Sequence, residues 1–383
     1  MTSSRSNKIK VFVDCRWYAQ NGQGTVTYLD GLQRAADTLL NDPTYCGPDV
    51  EFWYGVESIA ETPSNLHLPH DRVVEVGRRG LLWRLFAMPF FLRRHGFDAA
   101  HFTYMCPLYS LGVTYIVSMH DVLYLRHPQY FSWGYRASRK FLYGLSARRA
   151  PIVLTISEQS RRDICELLGR EAPIQLVPCA PNHTSSNSED TTAAKAVPGV
   201  VPGRFFLSVG RVEPRKNYPA LGRAFKRSGL AADRAQLVVV GFCSGPYIDE
   251  VKQLQEHDGV LWLSRVSDAE LKWLYANAKA FVFPSRCEGF GIPVIEAMQA
   301  KLPVAVSDTY PVEDVLAAAD IRFSPDSEED MSNAFRGLWL STVLHDKPPA
   351  VLARYTWENA AQAYLDALRP LDTAPCVDAG VNR

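Results

Sequence analysis

The densest chemistry lies in PSRCEGFGIPVIEAMQAKLPVAVSD, residues 284–308. An apolar run ends at Pro284, a Gly-rich turn follows, and Pro293 suits the first turn of a helix. The backbone N–H groups of Gly289, Phe290, Gly291 and Ile292 would stand at that helix start. There the aligned peptide dipoles favour an anion such as a diphosphate. Glu288 precedes the helix and Glu296 lies in its first turn, so two carboxylates could accept hydrogen bonds from sugar or ribose hydroxyls. A plainer role stays open for each: Glu296 offsetting the helix dipole, Glu288 filling a turn.

A second group sits in FFLSVGRVEPRKNYPALGRAF, residues 205–225. Arg211 and Lys216 follow an apolar run. Arginine offers paired donors to phosphate, and lysine adds a mobile point charge. Solvated loop charge is the alternative. In the first half, NGQGTVTYLDGL (residues 21–32) places Gly22 and Gly24 in a turn, and IVSMHDVLYLRHP (residues 116–128) places His120 and Asp121 after a second apolar run. The lone G-x-G is not a full G-x-G-x-x-G followed by a ribose-binding acid, which argues against a dinucleotide site. A capping or structural histidine is the alternative for His120. Ser157 or Ser160, in TISEQSRRDICELLG, can cap the helix that follows.

These groups need strands to hold them, because ligands of open α/β sheets bind beyond the carboxyl ends of the strands. The sequence supplies short apolar runs alternating with amphipathic stretches. Strands are predicted at 8–15, 50–54, 72–76, 99–102, 114–119, 152–156 and 175–177, with helices at 25–40, 81–95, 133–149 and 158–168. The second half repeats the pattern: strands at 205–210, 235–241, 260–263, 280–284 and 303–307, and helices at 218–228, 247–257, 268–279, 293–300 and 327–340. Nearly continuous apolar strands suggest parallel pairing buried on both faces, with right-handed crossovers.

VGRVEPRKN, followed by PSRCEGFGIPVIEAM with Glu288 and Glu296 spaced as E-x7-E, resembles the retaining glycosyltransferases of family 4, also called group 1. VSDAELKWLYANAKAFVFPS (residues 266–285) and TWENAAQAYLDAL (residues 356–368) resemble the same family. The resemblance implies an α/β protein of GT-B fold: two Rossmann-like doubly wound parallel-sheet domains facing across a cleft. Its expected divisions are an acceptor-side domain at 1–182, a linker at 183–202, a nucleotide-sugar domain at 203–355, a terminal helix crossing back at 356–370 and a disordered tail at 371–383. It also implies roles. Arg211 and Lys216 would hold the donor diphosphate, and Glu288 would face the donor sugar. Gly289, Phe290, Gly291 and Ile292 would bring backbone to sugar and phosphates, and Glu296 would bind the ribose. His120 would sit near the sugar–acceptor junction, with Gly22, Gly24 and Asp121 on the acceptor side.

The implied reaction moves a hexose from a nucleotide-diphosphate sugar to a glycan or lipid-linked acceptor of surface polysaccharide, with retention. HDVLYLRHPQYF resembles bacterial mannosyl- and rhamnosyltransferases, which makes GDP-mannose the first choice of donor. A sugar-nucleotide epimerase of the same fold and a two-domain sugar-binding protein are the alternatives. No D-x-D triplet occurs, so no metal and no cofactor are expected, with basic side chains offsetting the diphosphate instead.

Composition narrows the partners. Forty-one basic and 41 acidic residues cancel, which gives no general field for nucleic acid. The eight cysteines are scattered without zinc spacing, as expected of reduced thiols. No apolar signal core or membrane-spanning run is visible, so a cytoplasmic location is expected. Residues 78–95, RRGLLWRLFAMPFFLRRH, carry basic ends and a wide apolar face. That suits peripheral contact with an anionic membrane on the inner face of the cell, or packing on the first sheet.

Overall fold

A computed structural model of the chain describes residues 8–16, 24–62, 66, 68–77, 80–181, 195–342, 345–346 and 349–372. Gly22, Arg78, Arg79, most of the expected linker and the tail beyond Asp372 lie outside the described residues. The elements run β1 (Ile9–Asp14), α1 (Gly24–Leu40), β2 (Val50–Val56), β3 (Val73–Glu75), a π turn (Trp83–Ala87), α2 (Met88–Arg94), β4 (Ala99–Thr103), β5 (Thr114–Ser118), α3 (Leu123–Arg126), α4 (Trp133–Arg149), β6 (Ile152–Thr155), α5 (Glu158–Leu168) and β7 (Gln175–Leu176). They continue with β8 (Phe205–Val209), α6 (Tyr218–Ser228), β9 (Gln236–Val240), α7 (Ile248–Gln255), β10 (Val260–Leu263), α8 (Asp268–Asn277), β11 (Ala280–Phe283), α9 (Ile292–Gln299), β12 (Val304–Ser307), α10 (Glu313–Ala317), β13 (Ile321–Phe323), α11 (Glu328–Leu340) and α12 (Trp357–Asp372).

The chain divides into two units. One comprises Met1–Val122, Trp133–Cys179 and Trp357–Arg383, the other Leu123–Ser132 and Ala180–Thr356. The first holds a parallel sheet ordered β3-β2-β1-β4-β5-β6-β7. Every position of β4 is buried, which is why its sequence reads without polar alternation. Connections from β1 to β2 and from β5 to β6 run toward opposite edges of this sheet. Right-handed crossovers therefore put α1 on one face, with α2 and α4 together on the other. α12 covers α1: the Trp357 ring occupies the space above Gly31, where a Cβ would lie 2.4 Å from it. Tyr364 stacks on Phe52 with ring centroids 5.7 Å apart.

The second unit holds a parallel sheet ordered β10-β9-β8-β11-β12-β13. Its core is mainly aliphatic around an aromatic trio. Phe206, Phe225 and Phe335 meet edge to face with centroids 4.9–6.3 Å apart, fixing α6 and α11 against β8. Helix starts follow the polar caps in the sequence. Ser157 Oγ accepts from Ser160 N–H, so Ser157 is the cap of α5, and Ser267 with Glu270 forms a capping box at α8.

Four local expectations are corrected. The stretch read as one helix at 81–95 contains a π turn before α2, and Pro89 lies in the first turn of α2, where its missing N–H leaves no gap. Gly24 is the first residue of α1, with open space where its Cβ would be, so nothing around it demands glycine. Glu296 is the fifth residue of α9, one turn inside the helix, rather than in its first turn. The short elements α3, α10 and β13 fall where no element was expected, because three to five residues show no period.

Candidate functional site

Neighbouring strands of the second sheet create the site. β8 and β11 pair in parallel through Leu207 and Phe281, so the loops after them leave the sheet side by side. The Arg286 N–H donates to the Arg215 carbonyl at 2.8 Å and ties the two loops together. Gly241 lets a third loop pass close, since a Cβ there would lie 1.9 Å from the Gly210 carbonyl oxygen. Asn217 takes a left-handed conformation (φ 62°), and its side-chain amide donates to the Pro325 carbonyl at 2.7 Å. That conformation turns the chain from the basic loop into α6.

An ion cluster fills the space between the loops. Lys216 Nζ donates to Glu288 Oε1 at 2.5 Å, and Arg215 Nη1 donates to Glu288 Oε2 at 2.9 Å. Ser285 Oγ adds a 2.5 Å bond to Glu288 Oε1, and Arg215 Nε binds Glu213 Oε2 at 2.8 Å. Arg211 lies at the rim, its side chain 44% exposed and 3.7 Å from Glu213. Three cations against two carboxylates leave one net positive charge at the head of α9. Burial pushes the Glu288 carboxyl up, but Arg215 and Lys216 overcome it and hold the group down at about 2. Burial likewise pushes the Lys216 ammonium down, and Glu288 pulls it part of the way back.

The turn into α9 is conformationally exacting. Gly291 has φ 87°, and a Cβ there would lie 2.4 Å from the Tyr310 ring, so glycine is required twice over. Tyr310 OH donates to the Gly291 carbonyl at 3.0 Å, which fixes the turn from below. Phe290 is buried edge-to-face on Tyr355, with ring centroids 5.6 Å apart. Gly289 and Ile292 complete the turn and the helix start. Glu296 is buried and accepts a 2.8 Å bond from Tyr275 OH, which fixes its carboxylate.

Within the first unit, His120 follows β5 and is buried. Tyr28 meets its ring edge to face at 4.6 Å, and Tyr104 lies 5.7 Å away. Its Nε2 has no hydrogen-bond partner among the described residues. Burial pushes His120 down to about 4, so the imidazole is neutral at pH 7. Asp121 is its partly buried chain neighbour. Tyr104 is a non-glycine residue with φ 62°, a strained conformation of a bulky side chain next to this histidine. Behind it, His101 bridges Ser118 Oγ at 2.7 Å and Tyr364 OH at 3.0 Å.

Sequence reading singled out Lys216 and Glu288, and the structure brings them into contact. It missed Arg215, Ser285, Glu213 and Tyr275. Arg215 had a visible signal, the adjacent R-K pair, and Ser285 stands three residues before Glu288. Tyr275 reaches Glu296 from 21 residues away with no local pattern to announce it. Among the described residues, no group of three or more His, Cys, Asp and Glu side chains is arranged as metal ligands.

A family model described as Glycosyl transferases group 1 matches residues 192–348, and one described as Glycosyltransferase Family 4 matches residues 48–184. The chain is 29% identical over 252 residues to the O-antigen chain mannosyltransferase RfbU of Salmonella typhimurium, covering 64% of this chain and 67% of that protein. It is 25% identical over 269 residues to the serotype-specific mannosyltransferase WbdA of Escherichia coli, covering 65% of this chain but 33% of that protein. The chain thus spans about a third of WbdA. Among solved structures, sucrose-phosphate synthase from Thermosynechococcus elongatus superposes with a TM-score of 0.65 at 16% identity, covering 95% of this chain and 96% of the other.

Proposed function

We propose, for a chain that belongs to the GT-B glycosyltransferases of group 1 and Family 4, that it moves a hexose from a nucleotide-diphosphate sugar to a glycan or lipid-linked acceptor. The product would belong to a surface polysaccharide, and the anomeric configuration would be retained. The observation that carries this reading is the ion cluster of Arg211, Arg215, Lys216 and Glu288 at the head of α9, with Glu296 fixed one turn further on. GDP-mannose is the first donor to test, because RfbU and WbdA are both named mannosyltransferases.

In this reading the donor's C1–O bond to the diphosphate breaks while a bond from the acceptor oxygen forms on the same face. The acceptor proton passes to the leaving phosphate oxygen. Charge therefore builds on the diphosphate, where Arg211, Lys216 and the α9 backbone at Gly289, Phe290, Gly291 and Ile292 would stabilise it. Glu288 stays ionised at neutral pH, so it would orient sugar hydroxyls as an acceptor and not donate a proton. Glu296 would accept from the ribose. Neutral His120, with its open Nε2, would hydrogen-bond at the sugar–acceptor junction, beside Asp121. Basic side chains take the place of a metal in this scheme. The acceptor would reach the enzyme at a membrane surface, with residues 78–95 making peripheral contact on its cytoplasmic side.

A thermal-shift panel of GDP-mannose, UDP-hexoses and dTDP-rhamnose tests the donor. A donor present at 100 times its dissociation constant should add about 2.7 kcal/mol of stability. Product that forms without an added acceptor would favour epimerisation, and no shift with any nucleotide sugar would overturn the reading.

A further inference from the structure

We infer that α4 is a second docking surface for an anionic lipid bilayer, continuous with the π turn and α2. This rests on the reading that residues 78–95 meet a membrane, and extends it to a helix that reading left out.

The outward face of α4 carries large aromatics where a globular helix carries polar groups. Trp133, Ala137, Lys140, Phe141 and Arg148 are all exposed. Counted from Trp133 they fall about four, seven, eight and fifteen residues on, which is one stripe of a helix. Trp133 is 79% exposed and Phe141 68%. The helix also holds Arg136, Arg139 and Arg149, and not one acid. The whole chain balances 41 basic residues against 41 acidic ones, so this stretch is a local segregation of charge. Aromatics interleaved with cations on a helix surface suit the headgroup region of an anionic bilayer.

The same pattern continues next door. Leu82 is 73% exposed and Phe90 61%, and α2 adds the exposed Arg93 and Arg94, again without an acid; Arg84 of the π turn instead faces inward to Asp14 at 3.7 Å. Right-handed crossovers put α2 and α4 on one face of the first sheet. The chain between β4 and β5 joins them. Tyr109 OH donates to the Phe86 carbonyl, and Phe90 meets Tyr109 edge to face at 6.0 Å. On the other side, Arg149 Nη1 donates to the Leu108 carbonyl at 3.1 Å, and the Cys106 N–H donates to Ser146 Oγ at 3.1 Å. A cleft of about 380 Å³, walled by Leu108, Tyr109 and Arg149 among others, notches the join. A second copy of this chain fits poorly as the occupant, because a two-fold contact would press like-charged faces together. Anionic headgroups supply the missing charge.

Co-sedimentation of the full chain with vesicles tests the inference, using pure phosphatidylcholine and phosphatidylcholine with phosphatidylglycerol, at low and high salt. Binding should favour the anionic vesicles and weaken with salt. Trp133→Ser with Phe141→Ser, and separately Lys140→Glu, should each weaken binding, the aromatic pair by about tenfold or more. Both sets lie at exposed positions, and an unchanged melting temperature verifies the fold. Loss in Leu82→Ser/Phe90→Ser with wild-type binding in both α4 variants would overturn the role of α4 and leave that of 78–95 standing. Equal binding to neutral vesicles, or no binding by the wild type, would overturn both. A wild-type dimer in light scattering that dissociates in the Trp133/Phe141 variant would assign the face to a second copy instead.

Discussion

Glu288 is the residue on which the donor side turns, because it compensates buried Lys216 and part-buried Arg215 at once. Glu288→Gln would leave buried Lys216 against a neutral amide, while Arg215 keeps Glu213, and breaking a buried ion pair in this way costs about 3–5 kcal/mol. Its carboxyl lies at about 2 in the fold against 4.5 unperturbed. The ionised form is therefore favoured by folding, and the stability it contributes is complete above pH 4.5 and lost as pH falls toward 2. Melting curves should show a wild-type advantage over Glu288→Gln that is full at pH 7 and narrows below about pH 4.5; a gap independent of pH would refute the assignment. His120 works in a different window. Unfolded, it takes up a proton below 6.5, whereas the folded imidazole resists until about 4. Stability should fall as pH drops between those values, by at most about 1.4 kcal/mol per pH unit for this one group. The slope should be shallower in His120→Asn, and an identical slope would show that His120 is not buried as a neutral base.

At the scale of elements, the turn into α9 shows how backbone conformation sets the site. Gly291→Ala would strain a φ of 87° and drive a methyl toward the Tyr310 ring. A loss of about 1–3 kcal/mol in stability is expected, together with weaker donor binding; unchanged chemical denaturation would contradict the requirement for glycine. The start of this helix was legible, because a Gly-rich turn and Pro293 announce it. The bond from Tyr275 in α8 to Glu296 in α9 was not, since it depends on tertiary placement of two helices whose sequences carry no sign of each other. Periodicity located α4 and α6 to the residue, where stretches of seventeen and eleven residues repeat the helical period several times. It located the helical run at 81–94 but not the π turn inside it, because a π turn keeps the same apolar residues while adding one to the turn. β13 and α10 are too short to show a period at all.

Across the whole molecule, two parallel sheets were legible from alternating apolar runs, and the division of the chain was legible only in part. The last helix falls in the first unit, and Leu123–Ser132 joins the second without any compositional change to mark it. Charge was the harder quantity to read. A chain of zero net charge concentrates cations along α4, as the run of Arg136, Arg139, Lys140, Arg148 and Arg149 already shows, whereas the cluster at the head of α9 forms only when the fold brings Arg215 and Lys216 onto Glu288. If basic side chains do the work of a metal, EDTA should leave transfer intact, while Arg211→Gln should lower it by about tenfold or more; strong EDTA inhibition reversed by magnesium or manganese would reject the scheme. The most direct measurement is calorimetric titration of GDP and UDP into the wild type, Arg211→Gln and Glu296→Ala. The account predicts that the wild type binds one of them, and that each variant binds it at least about tenfold more weakly while remaining folded. Equal affinities in all three proteins, or no binding by the folded wild type, would contradict a nucleotide-sugar site at the head of α9.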